Sequence, residues 1–128
     1  MSHVDDEPRR SRLDDLLDLR VPLEIAVAAV RDLSWDSAGE LTVLRRRSIV
    51  ARLREYLEGK MSAIELEVWA NAIEVREDIG CEPGQEALIS EFIFSTSNPT
   101  LSDGISRSYV EQWIQRFDGA EPERGRAE

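Results

Sequence analysis

From Leu13 to Phe117 the apolar residues recur every three or four positions, with no convincing run of alternating residues. That period lets a helix bury one face, whereas a half-buried strand needs a period of two. The chain is therefore expected to be all-α. Punctuation sets the boundaries. Leu13, Leu16 and Leu17 mark a short opening helix. Pro22 suits a first helical position, and Leu23, Ala26, Val27, Val30 and Leu33 trace a stripe over 22–33. Ser37 and Glu40 stand at capping-box spacing and precede a helix that runs to Glu58 and stops at Gly59. Ser62 and Glu65 repeat the spacing, and their helix is expected to run to Gly80. Pro83 can open the next, with Leu88, Ile89, Phe92 and Ile93 as its apolar set, ending before Asn98-Pro99. The last begins near Ser106, carries Tyr109, Val110, Trp113, Ile114 and Phe117, and closes at Gly119. Five helices, or six, with short connections predict a compact bundle of short antiparallel helices. Residues 13–118 form its single domain. Residues 1–12 and 119–128 mix charges with few apolar groups and are expected as a disordered leader and tail.

Charge narrows the functional classes. The formal net charge is -10, and Lys60 is the only lysine. Such a chain repels nucleic acid and anionic lipid and attracts basic proteins. No stretch nears the ~18 apolar residues of a membrane span, and the charged first residues lack the apolar core of a signal peptide. With one cysteine, Cys81, no intrachain disulfide can form, which fits a cytoplasmic location. Charge is also segregated. Residues 45–54 hold five arginines and no acid, and residues 55–91 hold ten acids against Lys60 and Arg76. Opposed blocks can pair within the bundle or between two copies, so a homodimer is one expected state.

On a helical wheel of residues 62–79, Leu66, Val68, Trp69, Ala72, Ile73, Val75 and Ile79 form one wide apolar arc. Glu67, Asn71, Glu74 and Asp78 fall on the opposite edge, with Glu77 beside them. These five residues are the expected partner-binding face, pointing to water. Arg76 falls inside the apolar arc, as Arg46 does on the preceding helix. A buried guanidinium demands a carboxylate or another anion, with Glu24, Glu91, Glu111 and Asp103 as candidate mates. Trp69, Ile73, Leu53, Leu57, Phe92 and Trp113 are expected in the core.

Catalytic chemistry finds few residues. His3 is the only histidine and Cys81 the only cysteine, too few for a zinc site. Neither a phosphate loop nor GxGxxG occurs. A helix-turn-helix reading of residues 53–70 places acids where DNA phosphates would lie. No catalytic residue and no cofactor is expected. The enzymatic alternative is a metal site of two E-x-x-E pairs, Glu55 with Glu58 and Glu74 with Glu77. Their spacing resembles the Mg-binding signature of MazG-like nucleotide pyrophosphohydrolases, which implies a Mg-dependent, all-helical enzyme. In that family the second pair ends in Asp; here Glu77 holds the place and Asp78 comes one residue later.

Two further likenesses bear on partners. Tyr56, Leu57, Gly59, Ser62, Glu65, Trp69, Ala70, Asn71, Arg76, Glu77, Asp78 and Ile79, with the later "SNPTL", resemble a recurrent pattern of small bacterial helical proteins to which no activity is attached. "YLEGKMSAIEL", residues 56–66, is similar to a segment of colicin D-type immunity proteins, helical inhibitors of a toxic ribonuclease. That likeness implies carboxylates that occupy a basic cleft of the target. The expected function is thus a non-catalytic interaction module, an immunity- or antitoxin-like inhibitor of a basic protein, with neither nucleic acid nor membrane as partner.

Overall fold

A computed structural model of the chain describes residues 3–33, 39–99 and 104–119. Six helices are present among them: α1 (His3–Asp18), α2 (Leu23–Arg31), α3 (Arg46–Leu57), α4 (Ala63–Glu74), α5 (Glu86–Ser97) and α6 (Arg107–Gly119). They pack as an all-α bundle, with α4 on α5, α1 on α2 and α3, and α3 on α6. Two three-residue strands, β1 (Thr42–Leu44) and β2 (Ile79–Cys81), pair in parallel, Thr42 opposite Ile79 and Leu44 opposite Cys81.

The strands correct two helix boundaries. The helix expected before residue 59 begins only at Arg46, because Thr42-Val43-Leu44, opened by two β-branched residues, pairs as a strand instead. The capping residue Ser37 lies outside the described residues. The helix expected to reach Gly80 ends at Glu74. Beyond it the Asp78 carbonyl accepts from the Leu41 and Thr42 amides, and the Glu82 amide donates to the Leu44 carbonyl. Those bonds give the Asp78 carbonyl and the Glu82 amide partners outside the helix. At the other end of α4 the capping box forms as predicted: the Ser62 side chain accepts from the Glu65 amide at 3.0 Å, and Glu65 accepts from the Ser62 amide at 2.8 Å.

α1 reaches back to His3, so residues 3–12 are helical rather than a disordered leader. Two arginines tie this segment down. Arg9 pairs with Asp78 at 3.1 Å, and Arg10 Nε donates to the Leu41 carbonyl. The tail from residue 120 lies outside the described residues.

The core follows the helical stripes. Trp69 is fully buried, and its indole N–H donates to the Leu16 carbonyl at 2.8 Å. Phe92 stacks edge-on to Trp113 at 5.2 Å and to Phe117 at 5.6 Å, joining α5 to α6. Leu53 and Ile73 are buried, and Leu57 is half-buried against the same cluster. Arg46 reaches the C-terminal end of α6, where its guanidinium donates to the Phe117 carbonyl at 3.2 Å. A cation there meets the negative end of the helix, which gives an arginine in this apolar arc a favourable site. Among the described residues no helix is long and apolar enough to cross a membrane.

Candidate functional site

α4 is apolar on two sides. Leu66, Trp69, Ala70 and Ile73 face the core. Ile64, Val68 and Val75 face out, and are 71%, 37% and 53% exposed. At 100° per residue they share one narrow strip with Asn71. Sequence reasoning merged Val68 and Val75 with the core arc. The available signal was the spacing 64, 68, 71, 75, a second stripe on the far side from Trp69.

α2 lies beside α4, with their C-terminal ends together. Between them runs a groove of about 400 Å³, lined by Val27, Val30, Val68, Asn71, Ala72 and Val75, with Arg31 and Arg76 at its end. The other edge of the strip is acidic. Glu67 is half-buried, and Glu74 is exposed with one carboxylate oxygen accepting from Ser97 Oγ at 2.7 Å. Glu77 is exposed just past the helix. Four of the five predicted contact residues, Glu67, Asn71, Glu74 and Glu77, therefore sit on or beside this surface.

Asp78 does not. It is 1% exposed, contrary to its expected place in the outward acidic row. The wheel fails there because α4 has already ended. Asp78 instead accepts from one edge of the Arg76 guanidinium, Nε at 3.0 Å and Nη2 at 2.7 Å, and from Arg9 at 3.1 Å. The third Arg76 bond goes to the Val30 carbonyl at 3.0 Å. This knot joins α1, α2, the end of α4 and β2. Burial pushes the Asp78 carboxyl up, but the hydrogen bonds and charge of Arg76, with Arg9, outweigh it and hold it below the ordinary carboxylate range. Arg76 thus pairs with its own neighbour two residues on, which was not among the candidates named; of those, Asp103 lies outside the described residues.

The alternative metal carboxylates are not brought together. Glu55 is held at 2.9 and 3.0 Å by Arg52, a buried arginine that also donates to the Leu17 carbonyl. Glu58 pairs with Lys60 at 3.2 Å, while Glu74 and Glu77 lie at the far end of α4. Among the described residues no group of three or more His, Cys, Asp or Glu side chains is placed to share a metal ion. Cys81 is half-buried beside Ser90, and burial pushes its thiol up, away from the reactive thiolate.

Compared with models of protein families, with curated proteins and with solved structures, the chain matches none. The surface on α2 and α4 must therefore speak through its own chemistry.

Proposed function

We propose that the chain is a small acidic interaction module that docks on a basic protein through the outer face of α4, in the manner of an immunity or antitoxin inhibitor. The observation that carries this reading is the uncovered strip Ile64, Val68 and Val75 with Glu67 and Glu74 along one edge. Contiguous exposed apolar surface with a polar rim marks interaction sites. The net charge of -10 adds long-range attraction for a cationic partner and speeds encounter. The apolar strip then supplies short-range burial, which charge alone lacks.

The test places a photo-crosslinking residue at Val68 and, as a control, at exposed Gln115 on α6. The expected result is one adduct from position 68, formed with a protein of basic isoelectric point. It is absent from position 115 and lost with Glu67→Lys and Glu74→Lys together. An acidic partner, or equal capture from both positions, contradicts the proposal.

A further inference from the structure

We infer that the partner meets this face as an amphipathic helix with a basic edge, laid along α4 and into the α2–α4 groove. The inference rests on the reading of a basic protein partner and specifies its form. Ile64, Val68, Asn71 and Val75 follow one another at steps of four, three and four. That is the a/d spacing of two helices packed along a seam. A strand, with side chains repeating every second residue, cannot match it. The strip spans about 16 Å at ~1.5 Å per residue, roughly three turns of a partner helix. The groove beside Val68 and Val75 gives that helix room for side chains reaching between α2 and α4.

On the α4 edge the flanking charges choose the occupant, while exposed Arg31 lies on the α2 side, away from that edge. With Val68 and Val75 at a and Ile64 and Asn71 at d, Glu67 and Glu74 both take position g. Residues at g set partner charge through pairing with the facing helix. Two glutamates one heptad apart call for Lys or Arg at the matching spacing. A second copy of this chain meets the demand badly. In an antiparallel seam Glu67 and Glu74 would face each other, and in a parallel seam, where g pairs with e of the next heptad, they would face Ala72 and Ile79, which carry no positive charge. Each copy also brings a net charge of -10.

The probe is a fluorescein-labelled synthetic peptide of about three heptads, with Leu at a, Asn at one d and Leu at the others, and Lys at e and g. Its controls are a scrambled peptide of the same composition and a version with Glu at e and g. Fluorescence anisotropy should show the heptad peptide binding at least ~10-fold tighter than the scramble. Val68→Asp with Val75→Asp should lower affinity ~10-fold or more, although it increases the negative charge. Glu67→Lys with Glu74→Lys should weaken the Lys peptide and admit the Glu peptide. Amide chemical shifts in the unaltered protein, which need no variant to fold, should change over 64–75 and 27–31. If the scramble binds equally and only the glutamates matter, the helix inference fails while the basic-partner reading survives. If none of the four positions matters, both fail. If sedimentation equilibrium shows a dimer that Val68→Asp dissolves, a second copy fills the groove and the inference is overturned.

Discussion

Replacing Asp78 with Asn tests the buried knot at its centre. The change keeps the size of the side chain but removes the charge facing Arg76, whose side chain is 4% exposed. Two Arg76 bonds and the Arg9 ion pair converge on this carboxylate. Removing one partner of a buried pair leaves an uncompensated charge, and costs about 3–5 kcal/mol. Against a domain stability of about 5–15 kcal/mol that is a large fraction, equal to roughly 10–20 °C in Tm for a domain of this size. Urea unfolding followed by helical circular dichroism measures it. The companion change Arg76→Met, made together with Asp78→Asn, removes the guanidinium as well. It should recover part of the loss, because apolar groups replace buried ion pairs at little cost. A loss below about 1 kcal/mol for Asp78→Asn, or no recovery in the double variant, would refute the reasoning. The pH dependence has a definite sign. The folded carboxyl titrates below its ordinary 3.8, so its contribution is complete above that value and fades as pH falls through the lower folded one. Asp78→Asn should remove that part of the acid sensitivity.

Trp69→Ala should cost ~3–5 kcal/mol by core truncation, since Trp69 is fully buried and also caps the Leu16 carbonyl; chemical denaturation reads it. Ser62→Ala should cost about 1 kcal/mol by breaking the capping box, seen as a shifted urea midpoint with an unchanged slope. Gly80→Ala puts a methyl group against the end of the Glu40 side chain. That exposed side chain can swing away, so the cost should stay under ~1 kcal/mol and vanish when Glu40→Ala is added.

The helical class, the core aromatics and the Ser62–Glu65 cap were legible because each rests on local spacing. The strand pair was not. Thr42-Val43 is only a short β-branched run, and its partner Ile79-Gly80-Cys81 is 37 residues away in register. Only the meeting of the two makes either a strand. The same event ends α4 early, and this is why the wheel misplaced Asp78 while still putting Arg76 inside. The outer face of α4 was half legible. Glu67, Asn71, Glu74 and Glu77 were placed away from the core by their polarity. Ile64, Val68 and Val75 were missed because an apolar residue on an amphipathic helix is ordinarily assigned to the core. Which of two apolar faces is covered depends on where α2 and α5 pack, and no spacing within α4 encodes that.

The outward orientation of the valine strip is the claim on which the rest depends. Single cysteines at Ile64, Val68, Val75, Leu66 and Ile73, in a chain carrying Cys81→Ser, report it through their rates of maleimide labelling. Positions 64, 68 and 75 should react at nearly the rate of a free thiol, and positions 66 and 73 slower by orders of magnitude. Equal protection at 68 and 73 would mean that the face is covered, and the docking account would fall with it.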